Sequence, residues 1–171
     1  MLIHIRISTL NDVNTILKLY DFAVAKQHEM GATPWPQFEA SFIRKEIQEQ
    51  RQYKLLIGEE VACVWVVDFT DPLIWEEKNN DPSIYIHRIA INPHFKGKHL
   101  VKHIVSWAKD FANTHAKQFI RMDTVGNNAR LIKHYENCGF DYLGLLRLKN
   151  TEKLPSHYDN ADVSLFQIAL D

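Results

Sequence analysis

The spacing of apolar side chains divides the chain into short strands and longer helices. Residues 1–6 alternate between apolar and polar side chains, which predicts a β-strand. Apolar residues then recur at helical spacing over residues 11–29, and Thr9 stands three residues before Asp12, as in a capping box at a helix start. A break that contains glycine and proline precedes a second predicted helix over residues 38–50.

The remaining elements follow an order that is typical of an α/β fold. Strands are predicted over residues 53–57, 61–69, 84–91, 119–123, 140–148 and 163–170, one helix opens at Gly97, and another covers residues 128–137. The order of predicted elements is β-α-α-β-β-β-α-β-α-β-β. The strand–loop–helix–strand crossover in the middle of this order predicts a mixed sheet with helices on its faces.

The composition fits one globular domain and argues against several other classes of protein. With 171 residues, of which 46% are hydrophobic and 24% charged, the chain can bury a core and is too apolar for a disordered segment. A net charge of −1 argues against binding to nucleic acid or to an anionic membrane. The N-terminus has no signal-peptide pattern, and Cys63 and Cys138 cannot form a disulfide framework. We therefore expect a single domain over residues 1–171 in the cytoplasm.

The segment that follows residues 84–91 has the features of an anion-binding site. It leads through residues 92–98 directly into a helix, whose first N–H groups have no partner within the helix. The helix dipole, Lys96 and Lys98 all favour a negatively charged ligand there, such as phosphate or pyrophosphate. Gly97 is the only glycine of the turn, so neither a Walker loop nor a dinucleotide-binding fingerprint is present. An ordinary strand–helix loop with solvated lysines remains the alternative.

Two segments resemble sequence motifs of one enzyme family. Asn128 stands seven residues before Tyr135, and Gly139-Phe140 lie four and five residues after it, which resembles motif B of the GNAT (Gcn5-related) N-acetyltransferases. The stretch from Pro93 to Val101 resembles their motif A, in which a strand precedes Pro-x-x-Arg-Gly-x-Gly-x-Gly. The resemblance implies a GNAT-like acyl-CoA N-acyltransferase fold of the α/β class. That fold has a mixed, mostly antiparallel sheet of about seven strands flanked by about four helices.

The match to motif A departs from the family at three positions. His99 and Val101 occupy two of the three glycine positions, and Lys96 occupies the arginine position. Backbone N–H donors do not require glycine, but a side chain at either position can crowd the phosphates. His99 can instead reach a phosphate oxygen. These departures therefore bear on the affinity for the cofactor more than on the fold.

The resemblance implies acetyl-CoA as the cosubstrate, bound where the fourth and fifth strands separate. Backbone groups of Ile89, Ala90 and Ile91 would pair with the pantetheine arm and polarise the thioester carbonyl. Backbone groups of Lys96, Gly97, Lys98, His99, Leu100 and Val101 would hold the pyrophosphate. Asn128 would bond to the cofactor arm, and Tyr135 would protonate the leaving thiolate as the general acid. The acceptor amine would attack acetyl-CoA directly in a ternary complex.

Two of these residues also have a structural interpretation, and the general base is open. Tyr135 lies on a helix face with apolar neighbours, so it suits a buried core position as well as catalysis. Asn128 suits the N-cap of the helix that follows it. The base is left open among His87, Glu76, Glu77 and a bound water.

The acceptor is the least defined part of the expected site. Residues 31–35 resemble a Gly-x-x-x-Trp element that lies beside the acceptor cleft in some family members, which makes Trp35 a candidate substrate-binding residue. The resemblance implies that the acceptor is a primary amine of a small molecule or a peptide. A homodimer is left open, because many relatives pair but no residue of this chain identifies an interface.

Three other functions compete with acetyl transfer. A catalytically inactive CoA-binding sensor or interaction domain is the main alternative, because the replaced glycines fit it. His99 and His103 stand four residues apart, as two metal ligands on a helix can, but they lack the HExxH pattern. The lysines from Lys96 to Lys109 form no basic stripe interleaved with aromatic residues. We therefore expect an acetyl-CoA-dependent N-acetyltransferase without a metal, nucleic-acid or membrane partner.

Overall fold

Seven strands and five α-helices make up the fold, as seen in a computed structural model that describes residues 1–171. The strands are β1 (Ile3–Ile7), β2 (Gln52–Ile57), β3 (Glu60–Asp68), β4 (Ser83–Ile91), β5 (Phe119–Val125), β6 (Asp141–Arg147) and β7 (Asp162–Ala169). The helices are α1 (Val13–Glu29), α2 (Ala40–Gln48), α3 (Pro72–Trp75), α4 (Leu100–Thr114) and α5 (Ala129–Asn137). No helix combines the length and the apolarity that are needed to cross a membrane.

The strands form a sheet in the order β1-β2-β3-β4-β5-β7-β6. Strands β1–β2, β2–β3, β5–β7 and β6–β7 pair antiparallel, whereas β4–β5 pair parallel. The mixed, mostly antiparallel sheet expected from the sequence is therefore confirmed. The β4–β5 ladder is short, because it joins only residues 83–85 to residues 119–121. Strand β5 pairs with β7 along its whole length, from Phe119 to Val125.

The chain divides into two compact units, and each has its own cluster of buried apolar residues. The first unit comprises residues 1–67 and 87–100, and the second comprises residues 68–86 and 101–171. In the first unit, Ile16 of α1 and Ile43 of α2 are fully buried and pack in one cluster with Val64 of β3. The helical spacing of apolar residues places them on the inner faces of both helices.

The helix starts of the first unit lie slightly later than the sequence predicts. A 3-10 turn, Leu10–Asp12, precedes α1, and the Thr9 N–H donates to the Asp12 carboxylate at 2.7 Å. The capping-box start predicted at Thr9 is therefore confirmed, although the regular helix begins at Val13. Helix α2 begins at Ala40 because the backbone of Glu39 is still extended.

The core of the second unit joins α3 to two strands that follow it in sequence. Ile74 and Trp75 of α3 pack in one cluster with Tyr85 of β4 and Leu165 of β7. Helix α3 was not predicted from the sequence, because its single turn is too short to show a helical period.

Candidate active site

Arg88 interrupts the extended backbone of β4 just before the segment predicted to bind the thioester. Its φ of 47° lies in the left-handed region, which is uncommon for residues other than glycine and costs on the order of 1 kcal/mol. The guanidinium is anchored, because it donates to the Glu46 carboxylate and, at 3.2 Å, to the Tyr20 hydroxyl. The backbone of Ile89–Ile91 thus follows a local distortion that buried side chains hold in place.

Three aromatic rings surround the Arg88 guanidinium. Its carbon lies 4.9 Å from the ring centroid of Phe38, 5.1 Å from that of Phe42 and 5.8 Å from that of Tyr20. The Glu46 side chain that it pairs with is only 2% exposed. This buried charge is therefore compensated by an ion pair and by cation–π contacts. The sequence carries no signal for the pair, since the two residues meet only through the tertiary fold.

The turn after β4 is held by local hydrogen bonds and is exposed at its tip. The Asn92 side chain accepts from the His94 N–H at 3.1 Å, and the Lys98 N–H donates to the Phe95 carbonyl at 3.3 Å. All four residues from Lys96 to His99 are exposed. The segment predicted to bind pyrophosphate is thus an accessible turn that leads into the N-terminus of α4.

Two residues of this turn have a left-handed backbone. Gly97 has a φ of 81° and His99 a φ of 55°, and α4 begins only after them, at Leu100, instead of at Gly97 as predicted. Glycine adopts this conformation at little cost, whereas histidine is strained in it. The left-handed backbone at His99 therefore gives a physical reason why the family motif has glycine at the corresponding position. Val101 is 3% exposed, so its side chain fills the protein interior instead of the surface of the turn.

The placement of His99 also removes the spacing argument for a metal site. His99 precedes α4, so His99 and His103 are not four residues apart on a single helix face. Both side chains are exposed to solvent.

Asn128 forms the N-cap of α5 in the second unit. Its side-chain oxygen accepts from the Leu131 N–H at 3.0 Å, and its own backbone is extended. The capping interpretation is therefore confirmed. A contact between Asn128 and a cofactor stays a prediction.

Tyr135 lies on α5 in a cluster of aromatic rings. It is 9% exposed, and its ring centroid lies 5.3 Å from that of Phe166 and 6.1 Å from that of Phe140. Gly139 ends the helix with a φ of 107°, and Phe140 is buried, as expected for a helix stop followed by a core aromatic residue. The packing of Tyr135 supports a structural contribution, and its role as the general acid stays a prediction.

The second unit also contains a pair of carboxylates that the sequence did not predict. Asp71 lies just before α3 and Asp123 lies on β5, and carboxylate oxygens of the two residues approach within 4.8 Å. The Tyr158 hydroxyl donates to Asp123 at 2.9 Å. The two residues are far apart in sequence, so no spacing could have indicated that they are neighbours.

Burial raises the pKa of both carboxyl groups. Burial, with repulsion from Asp123 and Asp68, raises the pKa of Asp71 to about 8. Burial raises the pKa of Asp123 to about 6, although the hydrogen bond from Tyr158 lowers it. At neutral pH the pair therefore holds one proton. Of the three residues proposed as the base from sequence, His87 is half-buried in β4, and Glu76 and Glu77 are exposed.

A cavity of about 610 Å³ lies in the first unit between α1 and the segment that leads into α2. Trp35 lines it, together with Tyr20 and Phe38. The Trp35 N–H donates to the Gln27 side chain at 2.7 Å, which fixes this part of the loop against α1. The structure therefore places the candidate substrate-binding residue at a cavity, and its role in binding a substrate stays a prediction.

Comparisons with known proteins identify the family. Residues 27–140 match the model of the acetyltransferase (GNAT) family. The uncharacterized N-acetyltransferase YesJ of Bacillus subtilis (strain 168) is 30% identical over 74 residues, which are 43% of this chain and 41% of YesJ. The aligned part thus spans less than half of that relative.

Solved structures of acetyltransferases share the fold of this chain. A GNAT-family acetyltransferase from Listeria monocytogenes has a TM-score of 0.76 at 22% identity and covers 98% of this chain and 95% of its own. The structure of yncA from Salmonella typhimurium with its cofactor acetyl-CoA has a TM-score of 0.71 at 16% identity and covers 99% and 94%. Because the family model matches about two thirds of the sequence, the chain belongs to the acetyltransferase (GNAT) family.

Proposed function

We propose that this protein transfers the acetyl group of acetyl-CoA to a primary amine of a small molecule or a peptide. The family match carries this proposal, because residues 27–140 include β4, the turn after it and α5. Acetyl-CoA is also the cofactor in the yncA structure, and YesJ is named an N-acetyltransferase, which supports the same reaction class.

In the first unit, backbone groups would bind the cofactor. Ile89, Ala90 and Ile91 follow the distortion at Arg88, and we assign their backbone groups to the pantetheine arm and the thioester carbonyl. The exposed turn from Lys96 to His99 and the first residues of α4 would hold the pyrophosphate through N–H groups and the helix dipole. His99 already has the left-handed backbone that this turn needs, so we expect it to be compatible with binding.

In the second unit, α5 would supply the polar side chains. We assign Asn128 to the cofactor arm through groups other than the oxygen that caps the helix. Tyr135 would act as the general acid, because a phenol is protonated at neutral pH and can donate to a thiolate.

The transfer needs no covalent enzyme intermediate. The acceptor loses a proton from its ammonium form, its nitrogen forms a bond to the acetyl carbon, and the carbon–sulfur bond breaks. The thiolate of CoA then takes a proton from Tyr135. Tyr135 regains a proton when the acetylated nitrogen releases its extra proton and becomes an amide nitrogen. Asp123 joins His87, Glu76, Glu77 and water as a candidate acceptor of the first proton, because its pKa of about 6 suits a base near neutral pH.

The test compares Tyr135→Phe with wild type in an assay of amine-dependent release of CoA. We expect turnover to fall by about a hundredfold, the usual size of a general acid's contribution, while the affinity for acetyl-CoA is retained. Tyr142→Phe is the matched control, since Tyr142 also packs on Phe166, with ring centroids 5.6 Å apart. An undiminished rate in Tyr135→Phe would exclude the acid role.

The same assay distinguishes acetyl transfer from the main alternative, which is CoA binding without catalysis. A buried Tyr135 that packs on Phe140 and Phe166 also fits a protein that binds CoA without catalysis. Acetyl-CoA at one hundred times its Kd should stabilise either kind of protein by about 2.7 kcal/mol. Stabilisation without acetylation of any amine by the wild type would favour the CoA-binding module.

A further inference from the structure

The cavity of the first unit has walls that the fold holds in place. The rings of Trp35 and Phe38 each meet Tyr20 edge to face, with ring centroids 5.6 Å apart in both pairs. Tyr20 is itself fixed, because its hydroxyl accepts from Gln52 at 2.9 Å and from Arg88 at 3.2 Å. A ligand would therefore meet three aromatic side chains whose orientations are already set.

The charged side chains that line this cavity are all acidic. Asp21 on α1 and Glu39 before α2 contribute carboxylates, both residues are exposed, and no lysine, arginine or histidine lines the cavity. Arg88 contacts the rings of Tyr20 and Phe38 but does not line the cavity, and Glu46 compensates its charge. The local field therefore favours a cation over an anion.

We infer that this cavity binds an organic ammonium ion that carries an apolar or aromatic body and no carboxylate. The aromatic faces attract a cation and also bury an apolar body, and the two carboxylates pair with the ammonium group. A carboxylate on the ligand would meet Asp21 and Glu39 and be repelled. The inference rests on the proposed function, because it names the class of amine that accepts the acetyl group: amines without a carboxylate are preferred over amino acids.

The experiment measures binding by calorimetry with three probes that share one phenylethyl body. They are 2-phenylethylamine, its trimethylammonium analogue, which cannot be acetylated, and L-phenylalanine, which adds a carboxylate. We expect both cations to bind at least tenfold more tightly than L-phenylalanine. The double variant D21N/E39Q should weaken both cations at least fivefold, since each exposed ion pair contributes a factor of up to about five.

Two further variants make this test specific. Glu29→Gln removes an exposed carboxylate of α1 that does not line the cavity, and it should leave all three affinities unchanged. Trp35→Leu should weaken both cations at least fivefold through the lost cation–π contact. Because Asp21 and Glu39 are exposed, their double variant remains informative even where Trp35→Leu impairs folding.

The outcomes separate this inference from the proposed function. Equal affinities for L-phenylalanine and the two cations, or an equal loss in E29Q and D21N/E39Q, would overturn the inference. Cation binding at the cavity without acetylation of any primary amine would support the inference as a binding site and contradict the proposed function. Acetylation of an amine whose KM is unchanged in D21N/E39Q and Trp35→Leu would support the function and overturn the inference.

Discussion

The two units of this chain bury charge in opposite ways. In the first unit, Glu46 is 2% exposed and pairs with the guanidinium of Arg88. In the second unit, carboxylate oxygens of Asp71 and Asp123 approach within 4.8 Å, so two groups of the same charge share one site. The first arrangement satisfies both charges, whereas the repulsion in the second is relieved when one carboxyl group holds a proton.

The difference predicts different responses to pH. Burial alone would lower the pKa of Arg88, but Tyr20 and Glu46 raise it above its ordinary value, so the arginine stays charged throughout the accessible range. Burial and repulsion from Asp123 act together on Asp71 and raise its pKa to about 8. The first unit is therefore built around a permanent ion pair, and the second contains a pair that changes charge near neutral pH.

Breaking the ion pair should have the largest effect on stability. Arg88→Met leaves the Glu46 carboxylate buried with Arg51, 3.6 Å away, as its remaining cation. We expect the free energy of unfolding to fall by about 3 kcal/mol, as is usual when one partner of a buried pair is removed. Chemical denaturation at pH 7 measures this loss.

A second variant distinguishes a broken pair from a general packing defect. Arg88→Met combined with Glu46→Leu removes both charges, and we expect the double variant to be more stable than Arg88→Met alone. If the double variant were instead as unstable as the sum of the two single variants, the charges would not be coupled and this account of the first unit would be wrong.

Removing a carboxylate from the second unit should change the pH dependence of stability. In the unfolded chain an aspartate titrates near pH 4, whereas Asp71 in the fold titrates at about 8. The folded state thus binds more protons between these values, so the free energy of unfolding decreases as pH rises from about 4 to 8. Asp71→Asn cannot titrate, so we expect its free energy of unfolding to rise relative to that of wild type as the pH increases from 4 to 9.

The measurement is urea denaturation of both proteins at several values of pH across that window. Glu152→Gln, which removes an exposed carboxylate of the same unit, is the control and should keep the wild-type profile. A difference between Asp71→Asn and wild type that does not change with pH would contradict the raised pKa.

The smallest expected effect concerns two strained residues of the first unit. Arg88 and His99 both have a left-handed backbone, but only Arg88 is anchored by buried side chains. His99→Gly should therefore raise the free energy of unfolding by about 0.5 kcal/mol, because relief of strain exceeds the extra entropy of the unfolded chain. Lys98 is not left-handed, so Lys98→Gly should instead lower it by a similar amount. Equal effects of the two substitutions on thermal unfolding would rule out strain at His99.

The elements with a clear hydrophobic period could be predicted from the sequence, and those without one could not. The apolar spacing on α1 and the alternation in β1 gave both elements correctly, and the asparagine at position 128 predicted the cap of α5. Helix α3 has a single turn and shows no period. Trp35 was predicted as a candidate binding residue from a local pattern, and it lines a cavity.

The buried charges could not be predicted from local sequence. Glu46 lies on α2 and Arg88 on β4, and the guanidinium reaches the carboxylate only after both elements have packed. The same holds for Asp71 and Asp123, whose raised pKa values arise from burial in the folded chain. A spacing argument finds residues that lie on the same element, whereas the two members of each of these pairs lie in different parts of the chain.

The most direct test of the proposed function is to incubate the wild-type protein with acetyl-CoA and a panel of primary amines. Release of CoA thiol and the mass of the acetylated amine are measured together. We predict release that depends on the amine, with an acetylated product in proportion to the thiol. No acetylated product from any amine, together with no thermal stabilisation by millimolar acetyl-CoA, would contradict the proposal that this chain is an acetyl-CoA-dependent N-acetyltransferase.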